Sequence, residues 1–473
     1  MLASSAPSTS ETASSLAAIS AQEIELGTMD LAEFGITVDG LYLYRSSNND
    51  ADFMALDMLQ RSFYQLVADH YPIVVGRPGV NSAGKAVIAV DPSNLCMPDF
   101  AEIKVPHPAT AFLTTRPGAT PVRFFDLRRF YRDSGVDRLP RATYHQDHAA
   151  AIVRVLRFSD NYVALAYSMS HVLFDGTGTI MFMNHWAEYT RAMRAGTAVR
   201  LTHQPENSRA ELQKYLDGVE PVEPPFIAHF KAMMPAEPMP KLPHIAPVLM
   251  ASPDVPSCEE QHLLHFTPAG LERMRQDMGG ALTINLALMA LFTKALVHAN
   301  TQTFGTPPQV AYAVVPYDGR LRADIPAHFA GNISCTAIAP LPVQTVQKAS
   351  YSELALAIKE HCALVDSGHT KAVMQTIETD LPVLYHASFS LCNAPQTTYF
   401  GLSNVRYMPF ATIDFGFGSP EILSFDYFVK EGMARMYPNL QDGGVDMILN
   451  YPDANFAKLR QHEDLAKYAD FIF

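Results

Sequence analysis

The sequence contains little that would indicate a disulfide-bonded, zinc-binding or membrane-spanning protein. Its cysteines are few, odd in number and scattered, and none forms a C-x-x-C pair, so neither a disulfide framework nor a zinc site is predicted. No run approaches the roughly 18 apolar residues that a transmembrane helix needs. These absences favour a reducing compartment, and we expect a cytoplasmic protein with no membrane span and no bound metal. The cysteines are Cys96, Cys258, Cys335, Cys362 and Cys392.

Positive charge is also scarce, since 35 Lys and Arg residues face 48 Asp and Glu residues and the net charge is −13. This surplus of negative charge argues against nucleic acid or an anionic membrane surface as the main partner. Two glycine signatures are missing as well. Without G-x-G-x-x-G after a first strand, a doubly wound dinucleotide-binding sheet is not indicated. Without G-x-S-x-G, a serine nucleophile at a strand-to-helix turn is not indicated either.

The length of 473 residues predicts two domains, because one core seldom serves so long a chain. The Ser-, Ala- and Thr-rich start has neither a basic region nor a long apolar core, and we predict that residues 1–27 are disordered. Residues 202–258 are rich in proline and predict a linker over the surface. The predicted domains are therefore 28–201 and 259–473.

The strongest local pattern surrounds His171. Residues 151–158 and 162–169 predict two paired buried strands, and residues 176–195 predict a helix. His171 thus lies where a strand ends and the chain changes direction, a place where a side chain can face a cleft from a rigid base. In the second half, residues 399–405, 410–414 and 422–428 predict further strands.

His171 begins a His-x-x-x-Asp-Gly motif that continues to Asp175 and Gly176. With seventeen histidines in the chain, such a motif arises by chance with a probability of about one in twenty. Taken alone, a core histidine beside a turn aspartate explains it equally well. A second motif changes this balance, because Asp414, Gly416 and Gly418 form Asp-Phe-Gly-Phe-Gly far downstream.

Together these motifs resemble those of the BAHD acyltransferases, a plant and fungal family of CoA-dependent enzymes marked by His-x-x-x-Asp-Gly and Asp-Phe-Gly-Trp-Gly. Residues 71–77 and 318–332 resemble two further family segments, in the family's order. The resemblance implies a mixed α/β (α+β) fold with two chloramphenicol acetyltransferase-like domains, each a mixed β-sheet flanked by helices, and an active-site channel between them. It also implies a monomer that uses acyl-CoA as co-substrate, a small-molecule alcohol or amine as acceptor, and no permanently bound cofactor.

The resemblance assigns His171 as the general base and Ser403 as a donor to the developing oxyanion. An imidazole with a pKa near neutrality is well matched to take a proton from an attacking alcohol or amine. A hydroxyl about 3 Å from the reacting carbonyl oxygen can stabilise the charge that develops there. Because no activated nucleophile is apparent, we expect direct transfer without a covalent acyl-enzyme.

The resemblance assigns structural roles to the other motif residues. Asp175 is expected to pair with Arg320 and, with Gly176, to support the His171 turn. Three further residues are expected to form a structural turn away from the chemistry. These are Asp414, Gly416 and Gly418.

Two departures from the family pattern bear on substrate choice. Phe417 replaces the tryptophan of the second motif. The family's Thr-Ser-Trp segment falls on Ser403, Asn404 and Val405, so a smaller aliphatic residue replaces the second tryptophan. We expect Asn404 and Val405 to line the substrate pocket.

Two alternatives remain open at this point. A condensation-domain-like transferase would use a carrier-bound acyl donor, although Ser170 stands where condensation domains have the first of two histidines. A catalytically silent binding protein on the same scaffold is the second. A metal site at residues 145–148, His-Gln-Asp-His, is not favoured, and we interpret this segment as a polar loop because no further ligand lies at suitable spacing.

Overall fold

The computed structural model describes residues 16–33, 36–46, 52–116, 121–142, 149–220, 260–304, 309–372, 374–375, 397–425 and 431–473. The chain forms mixed β-sheets flanked by helices, so the predicted fold class is confirmed.

The strands form a five-stranded, a seven-stranded, a three-stranded and a two-stranded sheet. They are β1 (Gln22–Glu25), β2 (Thr37–Arg45), β3 (Arg77–Val80), β4 (Ala86–Val90), β5 (Asp99–Lys104), β6 (Leu113–Arg116), β7 (Val122–Phe125), β8 (Ala151–Arg157), β9 (Tyr162–Ser170), β10 (Gln261–Phe266), β11 (Val310–Asp318), β12 (Ser334–Pro342), β13 (Thr397–Asn404), β14 (Ile422–Ser424), β15 (Met433–Pro438), β16 (Val445–Asn450) and β17 (Asp470–Phe471).

The helices cover the two larger sheets. They are α1 (Thr28–Ala32), α2 (Leu56–His70), α3 (Leu127–Asp133), α4 (Gly176–Ala195), α5 (Arg209–Leu216), α6 (Pro268–Asp277), α7 (Ile284–Phe304), α8 (Val343–Lys348), α9 (Tyr351–Ala363), α10 (Asp453–Leu459) and α11 (Glu463–Tyr468), with short 3₁₀ helices at Pro72–Val75, Ala109–Phe112 and Phe410–Thr412. No helix in the described ranges is long and apolar enough to cross a membrane.

The five-stranded sheet has the order β14-β2-β9-β8-β5 and carries the predicted strand pair. β8 and β9 are antiparallel, with Ala151 opposite Met169. Every residue of β9 is buried, because one face packs on α2 and α4 and the other on the aromatic layer around β7 and α3. A strand covered on both faces reads as an uninterrupted apolar run, which explains its strong signal in the sequence.

The seven-stranded sheet has the order β12-β11-β13-β15-β16-β10-β17 and belongs to the C-terminal half. Helix α7 packs on it and is also covered by α9 and α10, and residues 287–292 of α7 are all fully buried. A helix enclosed in this way is apolar around its whole circumference. The second core therefore forms around α7.

One strand crosses between the two halves of the chain. β14 comes from the C-terminal half but pairs antiparallel with β2 of the N-terminal sheet, with Ile422 opposite Leu43. It completes the backbone hydrogen bonding of β2, whose other edge is occupied by β9. The neighbouring prediction of a strand at 410–414 is wrong, because Phe410–Thr412 forms a 3₁₀ helix.

The predicted disorder and the predicted linker need correction as well. β1 lies inside the segment 1–27 and is ordered by its antiparallel backbone pairing with β4. Its side chains are mostly polar, so the sequence does not indicate this strand. α5 lies at the start of the segment 202–258, where prolines are still sparse. Residues 1–15 and 221–259 lie outside the described residues.

Candidate active site

His171 follows directly after β9 and occupies the turn that leads into α4. Its backbone N–H donates to the carbonyl of Ile36 at 2.9 Å, and the Leu173 N–H donates to the Ser170 carbonyl at 3.1 Å. The side chain is 14% exposed. The imidazole is thus held on a backbone anchored to β2 while part of its surface stays accessible.

The imidazole meets a residue from the C-terminal half of the chain. Its Nδ1 lies 3.1 Å from Oδ1 of Asn332, two residues before β12 begins. The carboxylate of Glu33 lies close by, but its Oε2 is 3.8 Å from the same nitrogen, beyond hydrogen-bond distance. His171 therefore lies at a junction between the two halves.

The contact predicted between Asp175 and Arg320 is present. The two side chains pair bidentately, with Nη1 to Oδ2 at 2.7 Å and Nη2 to Oδ1 at 3.0 Å. The carboxylate also accepts from the N–H groups of Gly178 at 2.8 Å, as the N-cap of α4, and of Ile333 at 2.9 Å. All of these hydrogen bonds of the Asp175 carboxylate go to structural partners, and none of them goes to the imidazole of His171.

Both members of this pair are charged. Burial raises the pKa of Asp175, but the guanidinium of Arg320 and the backbone donors outweigh it, so the pKa is lowered overall. Arg320 is 1% exposed and also donates to the carbonyls of Phe329 at 2.9 Å and Gly331 at 2.7 Å. The pair therefore ties the segment around residues 329–333 to the start of α4.

The first turn of α4 contains two glycines that allow neighbouring segments to pack closely against it. Gly176 is its first residue, and a Cβ there would lie 3.3 Å from the Met408 side chain. At Gly178 a Cβ would come within 2.2 Å of the Ala330 carbonyl oxygen, a distance that no side chain tolerates. Gly178 was not predicted as a functional residue, although it lies two residues after the motif.

Asp414 organises a tight turn. Its Oδ1 accepts from the N–H groups of Gly416 at 2.7 Å, Phe417 at 2.9 Å and Gly418 at 2.8 Å. The two glycines have φ angles of 92° and 95°, a region that favours residues without a Cβ. This geometry suits the structural role that the sequence predicts for all three motif residues.

This turn packs against the far end of α4. Arg191 and Arg194 of that helix donate to the carbonyls of Asp414 and Gly416. Because α4 has 20 residues and a helix rises 1.5 Å per residue, its ends are about 30 Å apart. The turn is therefore remote from His171, which precedes the other end.

The three residues of the predicted pocket segment lie at the end of β13. Ser403 is half-buried and faces Arg435 in the parallel pairing with β15, but makes no hydrogen bond to His171 within the described contacts. The Asn404 Nδ2 donates to Asn285 Oδ1 at 3.4 Å. Val405 is 9% exposed and packs in the largest apolar cluster, so a pocket role for it stays a prediction.

A buried polar network behind the imidazole was not predicted. The Nδ2 of Asn332 donates to Asp30 Oδ1 at 2.8 Å and to the Val172 carbonyl at 3.0 Å. Asp30 pairs with Arg209, Oδ2 to Nε at 3.1 Å, and Arg209 donates to the Leu173 carbonyl at 2.8 Å. Asn332 could have been found from the sequence, because it ends the family segment at residues 318–332. No local pattern points to Asp30 or Arg209.

Within the described ranges, no group of three His, Cys, Asp or Glu side chains is placed to hold a metal ion. The segment 145–148 lies outside those ranges.

Comparison with known proteins identifies the family. A family model described as "Transferase family" matches residues 137–466. "Hydroxycinnamoyltransferase 2" of Oryza sativa subsp. japonica is 22% identical over 317 residues, covering 66% of this chain and 67% of the rice protein.

Solved structures agree with the fold. TRI101 of F. sporotrichioides, solved with coenzyme A and T-2, has a TM-score of 0.69 at 15% identity and covers 95% of this chain and 100% of its own. The first condensation domain of the calcium-dependent antibiotic synthetase has a TM-score of 0.59 at 13% identity, covering 94% of this chain and 95% of its own. The fold is thus the chloramphenicol acetyltransferase-like one, and the family match over most of the chain shows that this protein belongs to the BAHD acyltransferases.

Proposed function

We propose that the protein transfers an acyl group from an acyl-CoA directly to a hydroxyl or amine of a small molecule, with His171 as general base. The observation that carries the proposal is the placement of the imidazole. It is held at the junction of the two halves, 14% exposed, on a turn that both halves fix. A general base needs this combination of rigid orientation and access to the proton it removes.

One base can carry out both proton transfers of the reaction. His171 takes the proton from the attacking O–H or N–H as the oxygen or nitrogen bonds to the thioester carbonyl carbon. The tetrahedral intermediate collapses, the carbon–sulfur bond breaks, and CoA leaves. The imidazolium returns its proton to the CoA sulfur, so that the products are the ester or amide and free CoA.

Direct transfer is supported by the state of two cysteines, Cys335 and Cys362. Burial raises the pKa of the Cys335 thiol to about 12 and also raises that of Cys362. A protonated thiol is a poor nucleophile, so neither is suited to form an acyl-enzyme. In this proposal Ser403 donates to the oxyanion, and Asn404 and Val405 line the acceptor side of the pocket.

The assignment of coenzyme A as the carrier of the acyl donor rests on the family and on relatives such as TRI101, whose solved complexes contain coenzyme A. A carrier-bound donor is the alternative that the shared fold with condensation domains keeps open. The same experiment distinguishes them.

Purified protein is incubated with a panel of acyl-CoAs and a mixed set of alcohols and amines, and free thiol release and product mass are measured. We expect acyl-CoA-dependent product. Turnover only with an acylated carrier protein would favour the condensation-type reaction, and no turnover with either donor would indicate a binding protein. Sedimentation of the same sample tests the expected monomer.

His171→Ala should then lose about 10²-fold to 10⁴-fold in kcat while acyl-CoA affinity stays nearly unchanged, because the imidazole acts on the acceptor's proton. Ser403→Ala should lose about 10-fold to 10³-fold. His328→Ala is a matched control, since His328 is exposed and lies in the same segment as Arg320. Activity of His171→Ala close to that of the control would refute the base assignment.

A further inference from the structure

The side-chain amide of Asn332 lies between the imidazole of His171 and the carboxylate of Asp30. Its Oδ1 is 3.1 Å from His171 Nδ1. Its Nδ2 donates to Asp30 Oδ1 at 2.8 Å and to the carbonyl of Val172 at 3.0 Å. Asn332 is 2% exposed, so water competes little for these contacts. Both amide hydrogens and the amide oxygen are therefore engaged.

These partners determine which way the amide points. The Asp30 carboxylate and the Val172 carbonyl can only accept hydrogen bonds. An amide rotated by 180° would place its oxygen against two acceptors and leave both N–H donors without them. The oxygen of Asn332 therefore faces His171.

Asp30 is itself fixed by a third segment of the chain. Its Oδ2 lies 3.1 Å from Nε of Arg209 and accepts from the Gly27 N–H at 2.9 Å. The side chains of Arg209 and Asp30 are 4% and 3% exposed. Because Arg209 also holds the Leu173 carbonyl, the pair secures both the acceptor for Asn332 and the backbone of the His171 turn.

We propose that Asn332 and Asp30 are positioning residues that fix the tautomer of His171. An acceptor at Nδ1 requires the neutral imidazole to carry its proton there, which leaves Nε2 unprotonated and available as the base. Asp30 acts through Asn332, since it holds both the orientation and the place of the amide. The inference rests on the proposed function in one respect only, namely that the proton taken by Nε2 comes from a substrate.

The carboxylate of Glu33 also faces the ring. The Glu33 Oε2 lies 3.8 Å from Nδ1 and would favour the same tautomer if it moved closer. At its present distance it makes no hydrogen bond, whereas Asn332 does. Asp175 and Arg320 bind each other and do not contact the ring. Glu33 is therefore the competitor that the experiment has to separate.

The first measurement uses the wild-type protein and no substrate. The ring ¹⁵N chemical shifts of labelled histidine report which nitrogen is protonated, and the His171→Asn variant assigns the signals. We expect His171 in its neutral form to be protonated at Nδ1. Protonation at Nε2 would overturn the proposal.

The second measurement compares variants. Asn332→Ala should populate both tautomers and lower kcat about 10-fold to 10³-fold, less than loss of the base itself, with the KM for acyl-CoA nearly unchanged. Asn439→Ala is a matched control, because Asn439 is 4% exposed and donates to the buried Asp446 at 2.9 Å in another part of the fold. It should lose stability but keep the tautomer and kcat. Glu33→Gln should keep the tautomer too.

A single Nδ1-protonated tautomer and wild-type kcat in Asn332→Ala would refute the proposal, as would loss of the tautomer in Glu33→Gln. If no donor is turned over while wild-type His171 is protonated at Nδ1, the proposed function fails and the positioning of the ring stands. The tautomer and the activity are thus decided separately.

Discussion

Replacing Asp175 by alanine should destabilise the protein far more than the loss of an ordinary surface carboxylate. The substitution removes both bonds to Arg320, at 2.7 and 3.0 Å, and the bonds from the N–H groups of Gly178 and Ile333. It leaves a guanidinium that is 1% exposed without its carboxylate partner. The charge cannot be neutralised by deprotonation, because an arginine guanidinium stays protonated in proteins.

The magnitude follows from three contributions. Removing one partner of a buried ion pair costs about 3–5 kcal/mol. Loss of the N-cap of α4 adds about 1 kcal/mol. Arg320 keeps one acidic neighbour, Asp318 at 2.9 Å, and this recovers part of the cost. We therefore expect Asp175→Ala to lower the free energy of unfolding by about 3–5 kcal/mol in total.

Chemical denaturation and thermal melts of wild type and variant measure this loss. Asp126→Ala is the matched control, because Asp126 caps α3 through its Oδ1, which accepts from the Arg129 N–H at 2.9 Å. That control removes a cap without a buried ion pair and should cost about 1 kcal/mol. The difference between the two variants isolates the contribution of the pair.

An Asp175→Ala protein that is as stable as wild type but inactive would refute this reasoning. The carboxylate would then take part in the chemistry, and its contacts to Arg320 would not explain its presence. A variant that loses activity only in proportion to its folded fraction would support the structural role.

Three further predictions concern the second motif, the pocket and pH. Phe417→Trp should leave kcat and KM nearly unchanged, since this turn is remote from His171; a large kinetic change would contradict its structural role. Val405→Trp should change the acceptor profile and, because Val405 is 9% exposed, cost about 1–3 kcal/mol by overpacking; an unchanged profile would exclude it from the pocket. Burial lowers the pKa of His265, but Asp446 and Asp442 outweigh it and the pKa is raised. Its charged form therefore contributes stability below pH about 6.5 that is lost as the pH rises through the raised value. The Tm difference between wild type and His265→Gln should shrink over that range, and a constant difference would refute this.

The parts of the fold that the sequence predicted well are those with local causes. β8, β9 and α4 follow from buried apolar runs, and the helix begins after a capping aspartate, Asp175. His171 was placed correctly at the end of a strand because the turn after β9 lies within the same stretch. Arg320 was different, since its pairing with Asp175 came from the family resemblance and not from any spacing in the chain.

The parts that were missed depend on distant pairing. β14 lies within the predicted strand 422–428, but no local pattern in the sequence reveals that it pairs with β2 of the N-terminal sheet. Asp30 and Asn332 are 302 positions apart. Asp30 lies in the first turn of α1, where an acidic residue is common, so its place behind the imidazole becomes visible only when the two halves are assembled.

The two buried ion pairs near His171 are better explained by the orientation that they give to the His171 turn than by the stability that they add. Burying a charged pair gains little over an apolar pair of similar volume, because desolvation offsets the attraction. What Asp30 and Arg209, or Asp175 and Arg320, supply in addition is a set of hydrogen bonds with fixed directions to the backbone on both sides of the turn. Apolar side chains would fill the same space but leave those backbone groups unpaired and the turn free to shift. Since a shift of about 1 Å in a catalytic group can cost about 10²-fold in rate, such pairs are most useful where they lie, around the imidazole that we propose as the general base.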